Sequence, residues 1–140
     1  MPLPPPLLQS SSSSDVDSVL SSYSSISKDQ FQTLHARSRA AKATAYAPYS
    51  QFRVGATILT SDGSFIDGAN VENASYPVGT CAERVALGKV VVDGKISVDR
   101  GYDKSVDGER MRGAGGKVAA LAVATDISPP ASPCGMCRQL

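Results

Sequence analysis

Two short segments of the 140-residue chain combine residue types and spacings that can do metal chemistry: Cys81-Ala82-Glu83 and Pro133-Cys134-Gly135-Met136-Cys137. Each is predicted to open a helix, where free N–H groups and the macrodipole favour thiolate over thiol. Cys134 and Cys137, at i and i+3, share one helix face. Three thiolates meeting between two helix starts supply three protein ligands of an open, catalytic-type zinc site with water as the fourth. Glu83 projects in a different direction from Cys81, so its carboxylate can stand beside the metal and move protons without ligating.

Taken singly these motifs say little. C-x-x-C is shared by redox pairs and structural zinc sites, and C-x-E alone is nearly uninformative. Their combination with Pro133, two helix starts and an intervening strand is what points to an open zinc site, against the plainer reading of coincidental buried thiols. A structural Cys₄ site in a monomer lacks its fourth cysteine, and the βαβ surroundings of a thioredoxin-like pair are missing. Arg84 follows Glu83. Three thiolates leave a zinc site net negative, and a guanidinium donating to them would withdraw that excess charge. The competing reading is an ordinary surface arginine on a helix.

Elements to position these residues can be read from local pattern. Residues 10–27 hold eleven serines in eighteen positions after a proline-rich start, so residues 1–26 are expected to be a disordered tail. Ser27-Lys28-Asp29-Gln30 matches a capping box and starts a helix with Phe31, Leu34, Ala41 and Ala45 on one stripe, ending before Pro48. Val54 to Thr60 and Phe65 to Ala69 read as a hairpin about Asp62-Gly63. The loop from Asn70 to Gly79 leads to Thr80, a candidate N-cap for a helix through Ala82, Val85, Ala86 and Val90. Residues 94–116 are charged and glycine-rich, longer than ordinary loops, and are expected to be a flexible insertion. Lys117 to Thr125 is a third strand, apolar enough for burial on both faces. Pro133 suits the first turn of a last helix.

Composition narrows the classes. Fourteen basic against thirteen acidic side chains give a formal charge of +1, which supplies no field for a nucleic-acid backbone. The longest apolar run, around Val118 to Val123, falls far short of the roughly 20 residues that cross a bilayer. The start of the chain lacks the basic region of a secretory signal, so a soluble cytoplasmic protein is expected. The lone His35 has no link to the cysteine elements. No Walker, dinucleotide or G-x-S-x-G motif is present.

The order C-x-E, then P-C-x-x-C, is that of zinc nucleobase deaminases. Further segments agree. Ala45-Tyr46-Ala47-Pro48-Tyr49-Ser50-Gln51-Phe52-Arg53-Val54-Gly55-Ala56 resembles the start of a cytidine deaminase of the free-nucleoside, three-cysteine type. Asn70-Val71-Glu72-Asn73-Ala74-Ser75-Tyr76-Pro77 resembles that family's substrate loop. Thr80-Cys81-Ala82-Glu83-Arg84 and Pro133-Cys134-Gly135-Met136-Cys137-Arg138-Gln139 resemble its two zinc elements. The resemblance runs over 27–140, without the insertion.

The resemblance implies a three-layer α/β/α fold around a mixed sheet, with the family's C-terminal strands missing from this sequence. It implies zinc on Cys81, Cys134 and Cys137, with Glu83 as proton shuttle. It places Asn70 and Glu72 at the ribose hydroxyls, Phe52 against the pyrimidine and Tyr49 near the sugar. The expected reaction is hydrolysis of cytidine and 2′-deoxycytidine to uridine and 2′-deoxyuridine in pyrimidine salvage, by a homotetramer whose partners are nucleoside and water. Two other readings are carried. One is deamination of another cytosine nucleoside such as blasticidin S, which a substrate panel decides. The other is a zinc-binding but inactive fragment or pseudoenzyme.

Overall fold

The computed structural model describes residues 12–22, 26–96, 116–129 and 131–139. Helix α1 spans Ser13–Ser22 and α2 spans Lys28–Ala41. Strands β1 (Val54–Thr60) and β2 (Phe65–Ala69) follow, then helix α3 (Ala82–Val92) and strand β3 (Val118–Thr125). Three single 3-10 turns sit at Lys42–Thr44, Tyr76–Val78 and Cys137–Gln139.

Helix α2 starts where the capping box places it. The Gln30 amide N–H donates to Ser27 Oγ at 3.2 Å, and the Ser27 N–H donates to Gln30 Oε1 at 2.9 Å. Its buried face is Leu34, Ser38 and Ala41. The hairpin also forms, with Gly63 at φ 84° and Leu59 opposite Phe65. Helix α3 begins one residue later than expected, with Cys81 rather than Thr80 as its N-cap. Thr80 is held instead in a two-way backbone bridge to Val71, at 2.8 and 2.9 Å.

The sheet runs β2-β1-β3, and both neighbours of β1 are antiparallel to it. Strands β2 and β3 therefore point the same way, on either side of β1, with α3 in the crossover between them. The expected mixed sheet is thus corrected for the described strands, which contain no parallel pair. Among the described residues, parallel contacts are limited to isolated bridges at Tyr46–Val71 and Ile96–Gly116.

Three layers follow from two glycines. Gly55 pairs with Ala69, and Ala56 with Gly68, so Gly55 and Gly68 face opposite sides of the sheet. A Cβ on Gly55 would lie 2.2 Å from the Ser38 carbonyl oxygen of α2. One on Gly68 would lie 2.5 Å from the Ala82 oxygen and the Ala86 nitrogen of α3. Backbone meets backbone at both places, which only glycine permits. The α3 side is dry: Ala56, Ile58, Ile66, Ala82, Ala86 and Val90 form its core. The α2 side carries polar groups, among them buried Ser38 and Thr57 and the 2.7 Å ion pair between Arg37 and Asp67.

Two further expectations change. Strand β3 is not buried on both faces; it lies at the sheet edge, with Val118 and Leu121 about two-fifths exposed. Leu121 shares a face with Ile58, but α3 packs over β2 and β1 and leaves it open. Within the stretch expected to be disordered, Ser13–Ser22 is helical. Val16 is its buried anchor, and Asp17 pairs with Lys28 of α2 at 3.0 Å, contacts a composition argument does not register. Residues 1–11 and 23–25 lie outside the described residues, as do residues 97–115 of the expected insertion.

Candidate metal centre and the loops around it

The fold sets Cys81 at the mouth of α3. Ala82, Glu83 and Ala86 behind it are buried, so the first turn of the helix is seated on the sheet through Gly68. Cys81 makes no side-chain capping bond. Its Sγ lies 3.8 Å from Cys134 Sγ, and Cys134 Sγ lies 3.5 Å from Cys137 Sγ. All three sulfurs fall within 4.8 Å of one another. A tetrahedral centre with metal–sulfur bonds of about 2.3 Å separates its sulfurs by about 3.8 Å, so the donor set and its spacing fit zinc. Glu83 is 5% exposed, and its charge reaches both Cys81 and Cys137.

The second cysteine element departs from expectation. No α-helix opens at Pro133; residues 135–136 form a turn and Cys137–Gln139 a single 3-10 turn. The Arg138 N–H reaches the Cys134 carbonyl at 3.1 Å, the Gln139 N–H reaches that of Met136 at 3.2 Å, and Arg138 Nε donates to the Pro133 carbonyl at 2.9 Å. Gly135, of low helix propensity, sits where the first turn of such a helix would form. The turn nevertheless does what a helix start would do. The backbone N–H of Cys137 points at the Cys134 sulfur, and with the Cys137 thiol and the Met136 N–H it holds the Cys134 thiol below its ordinary range. Burial pushes Cys81 up, with Cys134 and Glu83 adding to the rise and the Cys137 thiol opposing it. Cys137 is raised far more, by burial first and then by its two sulfur neighbours and the Glu83 charge.

The other expected site residues form a second cluster, joined to the first through the Val71–Thr80 bridge. Asn70 Nδ2 donates to the Phe52 carbonyl at 2.9 Å, and its Oδ1 accepts from the Val54 N–H at 2.8 Å. Glu72 accepts from the N–H groups of Tyr49 and Ser50, at 2.9 and 3.1 Å, and from the Ser50 hydroxyl. Led by that hydroxyl, these donors hold the Glu72 carboxyl below the usual range. Phe52 is half-buried and Tyr49 exposed. Between them Gln51 has φ 55°, a left-handed conformation costing a non-glycine residue about 1–2 kcal/mol. Arg84 is half-buried on the first turn of α3; among the described residues no hydrogen bond joins it to a sulfur.

Sequence reasoning missed Ser50 and Asp126. Asp126 follows the last residue of β3 and pairs with Lys42 at 2.9 Å and Arg53 at 3.0 Å, which hold its carboxyl down at about 2. Lys42 also donates to the Thr125 carbonyl at 3.0 Å. The strand end that leads toward Cys134 is thereby tied to the end of α2 and the entry of β1. A lone acid between an apolar run and the Pro129-Pro130 break was the available signal.

Comparison with known proteins bears on this geometry. A family model described as the cytidine and deoxycytidylate deaminase zinc-binding region matches residues 28–140. A cytidine deaminase of Halalkalibacterium halodurans is 43% identical over 100 residues, covering 71% of this chain and 61% of that protein. One of Sporosarcina psychrophila is 40% identical over 109 residues, covering 78% and 65%. The crystal structure of cytidine deaminase from Burkholderia pseudomallei superposes with a TM-score of 0.61 at 38% identity, covering 77% of this chain and 71% of that one. The chain thus spans less than two thirds of the length of these two sequence relatives. No helix among the described residues is long and apolar enough to cross a membrane.

Proposed function

The chain belongs to the cytidine and deoxycytidylate deaminase zinc-binding family, and on that footing we propose that it hydrolyses cytidine and 2′-deoxycytidine to the corresponding uridines and ammonia. The observation that carries this reading is the three sulfurs at tetrahedral spacing beside a buried glutamate. Cys81, Cys134 and Cys137 hold zinc, which when bound makes a water molecule nucleophilic at neutral pH. The remaining chemistry belongs to the chain. Glu83 takes the proton that the attacking water loses as its oxygen joins C4 of the base. It delivers that proton to the ring nitrogen, then takes the proton of the new C4 hydroxyl and gives it to the amine, so that the C4–N bond breaks, ammonia leaves and a C4 carbonyl remains. Its burial keeps bulk water from competing for the proton.

Phe52 packs on the pyrimidine face, Asn70 and Glu72 serve the sugar hydroxyls, and Tyr49 stands beside the sugar. Arg84, one residue past the shuttle, draws negative charge from the thiolates. The domain is 27–140, the setting cytoplasmic pyrimidine salvage, and the assembly a homotetramer. The exposure of Tyr49 and the family relationship support the last point.

The test is zinc stoichiometry measured together with ultraviolet-monitored cytidine turnover. Turnover with about one zinc per chain is expected. Glu83→Gln retains the zinc and loses about 10²–10⁴-fold in rate, the scale of a removed general acid/base. Arg84→Ala lowers turnover more than zinc content. Zinc without turnover in the parent chain favours an inactive zinc-binding protein instead.

A further inference from the structure

Ser50 has no role in the reading above, yet its hydroxyl is the joint between two groups that do. Its Oγ accepts the Phe52 N–H at 3.0 Å and donates to a Glu72 carboxylate oxygen. Its own N–H, with that of Tyr49, donates to the other oxygen of the same carboxylate. Asn70 closes the arrangement from the far side by holding the Phe52 carbonyl. Phe52 is thus fixed at its N–H through Ser50 and at its C=O through Asn70. The left-handed Gln51 sits inside this clasp, a conformation that persists only where neighbours over-determine it.

We propose that Ser50 is a positioning residue that makes sugar recognition and base packing one unit, by coupling the Glu72 carboxylate to the backbone that presents Phe52. The inference rests on the assignment of Glu72 to the sugar and Phe52 to the base. An ionised carboxylate offers about four lone-pair sites. Three are taken by Tyr49 and Ser50, so a sugar hydroxyl meets a carboxylate already aimed by the loop. Any shift of Glu72 toward the sugar pulls on Ser50 and hence on the Phe52 amide. The hydroxyl must donate and accept together, which threonine can do and alanine cannot.

The experiment is a double-mutant cycle on the zinc-loaded full chain with Ser50→Ala, Glu72→Gln and the pair, together with Ser50→Thr. Cytidine kinetics and calorimetric binding of uridine are measured in each. Ser50→Ala is expected to raise KM and the uridine dissociation constant about tenfold, the worth of one hydrogen bond to a charged group. Turnover number stays within about twofold, since Ser50 does not touch the reacting atoms. The double variant is no worse than Glu72→Gln alone, as expected for two members of one network. Ser50→Thr restores most of the loss. Equal losses in kcat and kcat/KM, or additive losses in the cycle, overturn the proposal. A parent chain that neither turns over cytidine nor binds uridine overturns the functional reading instead. Amide exchange then decides the coupling: faster exchange at Phe52 in Ser50→Ala, with Val71 and Thr80 unchanged, upholds it, and unchanged exchange at Phe52 overturns it.

Discussion

The two halves of the thiol cluster are built by different means. Cys81 and Glu83 stand on an eleven-residue helix whose buried face is seated backbone-to-backbone on the sheet at Gly68. Cys134 and Cys137 stand on a turn held by three hydrogen bonds around Arg138 and Gln139, and Cys134 is exposed. Removing a helix from a packed core costs burial, whereas opening a turn costs little. The first half is therefore fixed by folding. The second is held by its turn alone, so a metal on the proposed sulfur ligands would add to its local order.

Metal removal gives the largest effect that can break this contrast. Chelation should speed amide exchange at Arg138 and Gln139 by more than tenfold while leaving Ala86 to Val90 of α3 unchanged. Equal loss of protection in both would mean that the halves order together. The same substitution on each side gives the next effect. Gly68→Ala drives a Cβ into the α3 backbone and should cost about 1–3 kcal/mol in thermal or denaturant unfolding, whereas nothing lies within 4 Å of a Cβ on Gly135, whose alanine variant should be near neutral. Comparable losses would refute the distinction.

The smallest effect concerns the clamp that ties the strand end leading toward Cys134 to α2 and β1. Asp126 is held down at about 2, below its unfolded value of about 4, so its contribution is present in full above about pH 4. It fades as pH falls through about 2, when the folded carboxyl is protonated. Asp126→Asn should therefore be less stable than the parent at pH 7, with the gap closing between pH 4 and 2. A constant gap across that range would show that charge is not what Lys42 and Arg53 grip.

What was legible in the sequence was local. The Ser27 capping box, the Asp62-Gly63 turn and the α3 pattern each depend on residues within a few positions, and they form nearly as read. The C-x-x-C spacing puts Cys134 and Cys137 together because turn geometry carries i and i+3 to one side, whereas Cys81 joins them only through the fold. Long-range terms were not legible. The burial of Val16 in a serine-rich stretch, the open edge of β3 and the clamp on Asp126 are each decided by partners distant in sequence. The family resemblance implies a sugar role for Asn70 and Glu72, but it does not say that both grip the backbone of residues 49–54. The turn at Pro133 shows the converse: a helix-start signal does not by itself make a helix, here with Gly135 in its first turn.

Gly55 and Gly68 occupy neighbouring positions in one antiparallel ladder and face opposite helices. At this waist α2 and α3 are separated by a single thickness of main chain, with no side chain to act as a cushion. Close-packed backbone compresses little and passes displacement on. The α2 backbone from Ser38 to Lys42 and the first turn of α3 are therefore set one main chain apart.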